Sequence, residues 1–126
     1  MHSLGIHHLA VHAREAGVEK VAAFYRDTLG LPELARNRHP GGALRSIWLS
    51  LSRSADPTAG FLAIEDGDDF GPAMFALRIH AVDRASLLAR LKGKGIEVEK
   101  QTRWTLYIAD PAGNHVAFSH HPHDPL

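Results

Sequence analysis

Cysteine is absent from the 126-residue chain. This absence excludes disulfide bonds, thiolate metal sites and a cysteine nucleophile, and it agrees with a reducing compartment. The chain also lacks an apolar run of the roughly 18 residues that a membrane span needs, and the first residues lack the basic and apolar regions of a signal peptide. Charge of one sign is not in excess, because 14 Lys and Arg balance 14 Asp and Glu. We therefore expect a cytoplasmic protein whose partners include no nucleic acid and no membrane.

The length predicts one domain over residues 1–126, since a chain of this size buries roughly two thirds of its unfolded surface. Within it, two halves share one order of elements: a first module at about 4–66 and a second at about 72–120. An apolar run predicts the first strand at about 6–11, and helical periodicity follows from about 15 to 29. Gly30 and Pro32 are expected to end that helix. Further strands are predicted at about 33–37, 43–51 and 60–65.

The second half repeats this order. Alternation predicts a strand over 74–80, Asp83 is a candidate N-cap, and a leucine stripe predicts a helix that ends near Lys92 to Gly95. Strands are predicted at about 96–100, 103–109 and 114–119. The residues from Asp110 to Gly113 predict a type I turn, and an Asp-Pro pair recurs at Asp56. Two βαβββ modules indicate the α+β class, with one face of each sheet covered by a helix and the other free to line a cavity.

Three segments together resemble one known superfamily: 6–11 (IHHLAV), 24–32 (FYRDTLGLP) and the 110–114 turn (DPAGN). The chain resembles the vicinal oxygen chelate superfamily, which includes glyoxalase I, extradiol dioxygenases, fosfomycin-resistance transferases and bleomycin-resistance proteins. The resemblance covers almost the whole chain. It implies that the two modules form an incomplete barrel with a cup-shaped cavity, and that the protein is a homodimer.

Metalloenzymes of this superfamily take their metal ligands from four positions, which by motif alignment are His8, Ala63, Met74 and Ala117 here. Of these only His8 carries a nitrogen or oxygen donor, and alanine methyl groups cannot replace imidazole or carboxylate. The favoured interpretation is therefore no metal and no other cofactor. Because side chains two residues apart share a face of a strand, a displaced divalent-metal site is the alternative. Its ligands would be His8, Glu65 and His115.

Candidate ligand-binding residues follow from the same alternation. Arg103, Thr105 and Tyr107 share one face of the predicted strand, and Arg78 shares a face with Met74. Guanidinium groups with a phenol and a hydroxyl suit a carboxylate, because the guanidinium fork binds two oxygens at once. The predicted ligand-binding residues number six: His8, Arg78, Arg103, Thr105, Tyr107 and His115.

Trp48 and Trp104 are candidates for a flat apolar wall, or else for core or dimer contacts. The histidines at 120, 121 and 123 are expected to lie in a mobile, solvated tail. The acidic stretch 66–69 is expected to be a linker.

Two functions remain open. The first is a protein that binds a small organic anion or aromatic compound without catalysis, which resembles the bleomycin-resistance branch. The second is a lyase or dioxygenase that uses the displaced metal site, or a metal-free enzyme with His8 and Tyr107 as proton-transfer groups. Whether the chain is an enzyme is left undecided by the sequence.

Overall fold

The computed structural model describes residues 3, 5–67 and 71–122, and it divides the chain into two units, Met1–Gly71 and Pro72–Leu126. Each unit contains one four-stranded sheet. In both sheets the first strand of the unit pairs in parallel with the last strand, and the remaining neighbours are antiparallel. The predicted α+β class and the two βαβββ units are confirmed.

Unit 1 has the strand order β1-β4-β3-β2. Its elements are β1 (His8–His12), α1 (Val18–Ala23), β2 (Glu33–Arg38), β3 (Leu44–Ser50) and β4 (Phe61–Glu65). Helix α1 contacts β3 and β4. On the side of the sheet that it covers, four side chains have no exposed surface: Ile47, Leu49, Leu62 and Ile64.

The single helix predicted for about 15–29 is three consecutive pieces. A 3-10 turn at Arg14–Ala16 precedes α1, and a π-helical turn at Phe24–Thr28 follows it. Gly17 separates the first two pieces because its φ of +88° is incompatible with a continuing right-handed helix. Gly30 ends the last piece as predicted, with a φ of +76° and its N–H donating to the Arg26 carbonyl at 3.0 Å.

Unit 2 has the strand order β5-β8-β7-β6. Its elements are β5 (Met74–Arg78), α2 (Arg84–Gly93), β6 (Lys100–Gln101), β7 (Thr105–Ala109) and β8 (His115–Ser119). One side of this sheet is fully buried at Leu106, Ile108 and Val116. Asp83 occupies the N-cap position of α2 as predicted, but its side chain makes no capping hydrogen bond.

Three predicted strands of unit 2 are shorter than expected. Strand β5, predicted over 74–80, ends at Arg78. Residue 96 is still bonded to the helix end, because its N–H donates to the Leu91 carbonyl at 2.9 Å, and strand β6 begins only at Lys100. Strand β7 begins at Thr105, two residues late. Thr102 Oγ1 accepts the N–H groups of Trp104 (3.2 Å) and Thr105 (3.0 Å), and this local turn keeps residues 102–104 out of the ladder.

The turn from Asp110 to Gly113 joins β7 to β8 as predicted. The Gly113 N–H donates to the Asp110 carbonyl at 3.0 Å, and Asp110 Oδ1 accepts the N–H groups of Ala112 (2.8 Å) and Asn114 (2.9 Å). The Asn114 amide donates to Asp110 Oδ2 at 2.8 Å and its Oδ1 accepts the Ala73 N–H at 2.8 Å. Asp110 is 5% exposed and Asn114 is 0% exposed, so this turn is a buried network of hydrogen bonds, here called the Asp110 turn.

Within the part of the chain that the structure describes, the helices are all too short or too polar to cross a lipid bilayer.

Candidate functional site

Each sheet has a second face, opposite the fully buried one, and strand pairing fixes which side chains share it. In unit 1 this face, here called the His8 face, consists of three rows across β1, β4 and β3: His8–Phe61–Ser50, Ala10–Ala63–Trp48 and His12–Glu65–Ser46. Ala35 and Asn37 of β2 extend the second and third rows. The pairing shows that Ala63 and Glu65 share this face, as do His8 and His12.

Aromatic rings occupy the first part of the His8 face. The His8 ring stacks on Phe61 with centroids 5.0 Å apart and planes 10° from parallel, and Phe61 stacks on Trp48 at 4.5 Å and 26°. The exposed His7 ring also contacts His8 and Phe61, with its Nδ1 2.9 Å from Nδ1 of His8. Trp48 thus belongs to a stack that continues across three strands, which gives this face a flat apolar surface.

The third row of the His8 face is polar. Asn37 donates its side-chain N–H to Ser46 Oγ at 2.9 Å, and Glu65 lies directly between Ser46 and His12 in the pairing. The rest of this face carries no lysine or arginine among the described residues. Glu65 is therefore the formal negative charge of the His8 face.

The corresponding surface of unit 2, here called the Arg78 face, also has three rows. They are Met74–His115–Ala109, Ala76–Ala117–Tyr107–Lys100 and Arg78–Ser119–Thr105. The pairing confirms that Thr105 and Tyr107 share a face, and that Arg78 shares one with Met74. In this way the structure brings four predicted site residues onto one surface: Arg78, Thr105, Tyr107 and His115.

Cationic groups dominate the Arg78 face. Arg78 is exposed, and its guanidinium makes no hydrogen bond or ion pair with any described residue. Lys100 places Nζ 5.6 Å from the centre of the Tyr107 ring, a cation–π contact. Between these cations lie the small side chains of Ala76, which is exposed, and Ala117, which is 1% exposed.

Hydroxyl groups flank Arg78. Thr105 Oγ1 donates to Ser119 Oγ at 3.1 Å, and the same oxygen of Ser119 accepts the His121 N–H at 3.3 Å. Since Ser119 Oγ already accepts twice, its own proton is directed elsewhere and has no acceptor within residues 3, 5–67 and 71–122. Arg78 and Ser119 are direct cross-strand neighbours, and together they offer donors to an oxyanion.

Two other predicted ligand-binding residues, His115 and Arg103, are already engaged by neighbouring side chains. His115 is half exposed, and its Nδ1 lies 3.2 Å from Glu99 Oε1, an ion pair when the imidazole is protonated. Arg103 lies in the bend before β7 and not on the strand, with its guanidinium 4.7 Å above the ring of Trp104. The prediction that Arg103 continues the Thr105 and Tyr107 alternation is therefore wrong, because the Thr102 turn interrupts the strand.

The four family metal positions do not carry a set of donors that fits a metal. Ala63 and Ala117 are each 1% exposed, so two of the four positions are filled by packed methyl groups. Met74 is 57% exposed and offers only a thioether, a poor ligand for the metals that imidazole and carboxylate bind. No group of three or more His, Asp or Glu able to hold a metal ion occurs in residues 3, 5–67 and 71–122.

The displaced set of His8, Glu65 and His115 is not assembled either. His8 pairs with Phe61, whereas Glu65 pairs with His12, four residues further along the parallel strands. At about 3.3 Å per residue this offset is roughly 13 Å, while metal ligands lie about 2 Å from the ion. The predicted alternative metal site is therefore wrong in its pairing of His8 with Glu65.

The histidine tail differs from the expectation at one position. His120 is only 7% exposed, its N–H donates to the Trp104 carbonyl at 3.0 Å, and its Nε2 lies 3.2 Å from Arg84 Nη1. Arg84 also donates to the carbonyls of Thr102 and Arg103, at 2.7 and 3.0 Å. His120 thus belongs to the fold and not to a solvated tail. The predictions for His123, and for the acidic stretch beyond Gly67, lie outside the described residues.

Several contributors to the two faces are absent from the predicted set. They are Ser46, Asn37, Ser119 and Lys100. Alternation along a single strand indicates which side chains share a face. It does not indicate which residues of neighbouring strands lie opposite one another. Ser119 and Ser46 had a usable signal, since they lie two residues from Ala117 and Trp48 respectively.

The match to a family model covers residues 5–118, and the model is that of the Glyoxalase/Bleomycin resistance protein/Dioxygenase superfamily. The chain belongs to this superfamily. No curated protein matches the sequence.

Solved structures share the fold at low sequence identity. Lactoylglutathione lyase from Agrobacterium tumefaciens has a TM-score of 0.74 and 22% identity, with 96% of each chain covered. TnmS3, an antibiotic-binding protein from Streptomyces sp. CB03234, has a TM-score of 0.72 and 23% identity, covering 95% of this chain and 98% of its own.

The fosfomycin resistance protein FosX from Listeria monocytogenes, in complex with Mn(II) and a sulfate ion, has a TM-score of 0.71 and 15% identity. The match covers 94% of this chain and 93% of that one. A lyase, a resistance protein and an antibiotic-binding protein therefore share this fold, and the choice of function rests on the side chains of this chain.

Proposed function

We propose that the protein binds a small organic anion, such as an aryl carboxylate, on the Arg78 face of unit 2. The observation that carries the proposal is the exposed Arg78 guanidinium beside the hydroxyl of Ser119. A planar guanidinium binds both oxygens of a carboxylate, and a neighbouring O–H adds a third donor. Thr105 positions that hydroxyl through its own hydrogen bond.

The charge of the face supports this choice of ligand. Arg78 and Lys100 are its formal charges, and none of the described residues in its three rows is acidic. An anion therefore meets two cations in these rows, and the neighbouring carboxylate of Glu99 is engaged by His115 at 3.2 Å. Ala76 is exposed and lies next to Arg78 on β5, so the apolar body of the ligand can pack against it, and Tyr107 belongs to the same row.

The superfamily comparison is compatible with binding as well as with catalysis. TnmS3 is a binding protein on this fold, and alanine at two of the family's metal positions favours a function that does not use that metal site. Arg103, in the bend before β7, and His115, in the first row of the face, are kept in the proposal as peripheral contacts. His8 belongs to unit 1, and its ligand-binding role stays a separate prediction. The proton-transfer roles of His8 and Tyr107 stay predictions.

A titration with 3-phenylpropanoate, monitored by amide NMR shifts, tests the proposal. We expect millimolar binding, with shifts at Tyr107, Ala117 and Ser119. Arg78→Ala should weaken it at least about tenfold, because one charge-assisted bidentate contact contributes about 1.5 to 3 kcal/mol and about 1.4 kcal/mol is a factor of ten. Arg53→Ala removes an exposed arginine from unit 1 and is the matched control.

Arg53→Ala should leave the affinity unchanged, and Arg103→Ala should weaken it less than Arg78→Ala does. Equal affinity of wild type and Arg78→Ala would remove the carboxylate site from this face. Shifts confined to unit 1 amides would do the same.

We also propose a homodimer, as the superfamily resemblance implies. The exposed apolar side chains of Met74 and Val82, 57% and 71% exposed, are compatible with a subunit contact. Sedimentation equilibrium should give twice the 13.8 kDa chain mass. A monomer at high protein concentration would contradict the dimer without affecting the anion proposal.

A further inference from the structure

A groove lies beside helix α2 of unit 2, and none of its residues belongs to the three rows of the Arg78 face. Its volume is about 440 Å³. Six residues line it: Leu88, Lys92, Gly95, Ile96, Glu97 and Val98. The three aliphatic side chains among them are half-buried, whereas Lys92 and Glu97 are exposed. The groove therefore has an apolar floor and a charged rim.

The end of α2 explains why the groove exists. Gly95 has a φ of +70°, a left-handed conformation that favours glycine, and its N–H donates to the Lys92 carbonyl at 3.1 Å. The next N–H, that of Ile96, donates to the carbonyl of the buried Leu91 at 2.9 Å. The chain thus reverses directly after the helix. Helix α2 forms one wall of the groove, and residues 95–98 form the other.

The two charges on the rim have opposite signs and lie on opposite walls. Lys92 belongs to α2 and Glu97 to the returning segment, and neither side chain makes a hydrogen bond or ion pair with any described residue. A surface that presents one anion and one cation in the reverse order satisfies both charges. A second copy of the chain provides this order, because in a two-fold contact residue i meets residue j and residue j meets residue i.

The shape of this region is self-complementary as well. Val82, Ala85 and Ala89 are exposed, and their spacing of three and four residues places them on one side of the helix. They form a ridge of mostly small side chains next to the groove. In a two-fold contact the ridge of each copy packs into the groove of the other, which is the usual way that helices pack.

We propose that this ridge and groove form the contact of the homodimer, and the inference rests on the homodimer proposed above. Lys92 of each copy faces Glu97 of the other, and the aliphatic floor of each groove packs against the ridge of the other copy. Val82 belongs to this contact and Met74 does not. None of the residues of the contact lies in the rows of the Arg78 face, so dimer formation and anion binding are separable.

Charge reversal on each wall tests the contact by sedimentation equilibrium. Lys92→Glu should raise the dissociation constant of the dimer at least tenfold, because it places two carboxylates against each other at both symmetry-related points. Glu97→Lys should have the same effect with two ammonium groups. An equal mixture of the two variants should associate as wild type does, since both contacts of the mixed dimer then join a glutamate to a lysine.

A third variant tests the shape of the contact. Ala89→Arg adds a long side chain at an exposed helix position and should also raise the dissociation constant at least tenfold. Lys20→Glu is the matched control, since Lys20 is an exposed helix lysine of unit 1. It should leave the dimer unchanged. All four variants should bind 3-phenylpropanoate with wild-type affinity.

The amide spectrum of each variant reports whether it is folded. If a charge variant does not fold, Ala89→Arg and wild type decide. A wild-type chain that stays monomeric at high concentration overturns both the contact and the homodimer, and it leaves the groove to a partner other than this chain.

A wild-type dimer that persists in folded Lys92→Glu and Glu97→Lys overturns the groove contact alone. A mixture of these variants that associates no better than each variant by itself overturns it too. If the dimer responds as expected and 3-phenylpropanoate does not bind, the contact is supported and the anion site is removed.

Discussion

The two units have the same backbone plan and different chemistry on equivalent faces. In each, the first and last strands pair in parallel with the same offset, so that His8–Phe61 in unit 1 corresponds to Met74–His115 in unit 2. The third rows correspond in the same way, and they read His12–Glu65–Ser46 and Arg78–Ser119–Thr105.

This correspondence shows that pairing and side-chain chemistry are separable in this fold. Pairing depends on the buried side of each sheet, where both units carry aliphatic side chains without exposed surface. The opposite side is buried only in part, at Phe61, Ala63 and Ala117 among others, and its remaining positions are less constrained. One unit therefore presents an aromatic, acidic surface and the other a cationic one on the same scaffold.

The largest expected difference in stability between equivalent positions of the two units is in the first rows of their faces. Phe61 is 5% exposed and stacks on both His8 and Trp48, whereas His115 is exposed and has one ion-pair partner. Phe61→Ala should lower the free energy of unfolding by about 4 kcal/mol, since it leaves a cavity. His115→Ala should lower it by less than about 0.5 kcal/mol.

Urea unfolding of both variants measures this difference. Similar losses in the two variants would mean that the aromatic stack does not stabilise unit 1 more than the exposed ion pair stabilises unit 2.

The next largest expected difference in stability is between the two Asp-Pro turns. Asp110→Ala should cost about 3 kcal/mol, because it leaves two backbone N–H groups and the Asn114 amide without their acceptors in a buried turn. Asp56 accepts from the Thr58 hydroxyl (2.7 Å) and N–H (2.9 Å), which lowers the pKa of its carboxyl, but it is exposed. Asp56→Ala should therefore have a much smaller effect.

Thermal unfolding of Asp110→Ala and Asp56→Ala compares the turns directly. A larger loss of thermal stability for Asp56→Ala than for Asp110→Ala would contradict the distinction between a buried, hydrogen-bonded turn and a surface turn.

The smallest expected effect concerns an ion-pair network in unit 1. Glu33 accepts from Arg36 at 2.7 Å and from Arg26 at 3.0 Å, and Arg36 also reaches Glu19 of α1 at 3.1 Å. The hydrogen bond from Arg36 is the main cause that lowers the pKa of the Glu33 carboxyl below its ordinary value of 4.5. The network ties β2 to α1.

A carboxyl with a lowered folded pKa stabilises the fold above its ordinary pKa, and this contribution is lost as the pH falls through the folded pKa. Glu33→Gln should cost about 0.5 to 1 kcal/mol at about pH 7 and nothing at about pH 2. Urea unfolding at both pH values measures it. An equal cost at the two values would exclude the ionic contribution.

The sequence predicted which side chains share a face of one strand. It predicted less well which residues of neighbouring strands lie opposite one another. Alternation placed Tyr107 with Thr105 correctly, because period two is a property of a single strand. The pairing of His8 with Glu65 failed because the offset between β1 and β4 depends on two strands that are distant in the chain and are joined only in the fold.

Local chemistry explains the remaining successes and failures. The Asp110 turn was predictable from proline, glycine and an aspartate within four residues. The interruption at Thr102 was not, since it depends on one hydroxyl that accepts two N–H groups and displaces Arg103 from the strand. The burial of His120 also depends on tertiary contacts, with Arg84 and Trp104.

The Asn114 side chain has a consequence for the order in which unit 2 folds. Strands β7 and β8 are joined by the Asp110 turn into a local hairpin. Such hairpins form on the microsecond timescale. Adding β5 requires a loop whose ends meet at the hydrogen bond between Asn114 and Ala73, residues 41 positions apart. Closing it costs on the order of 3 kcal/mol of chain entropy. We expect the hairpin to form first, and Asn114→Ala to slow the later docking of β5 more than the formation of the hairpin itself.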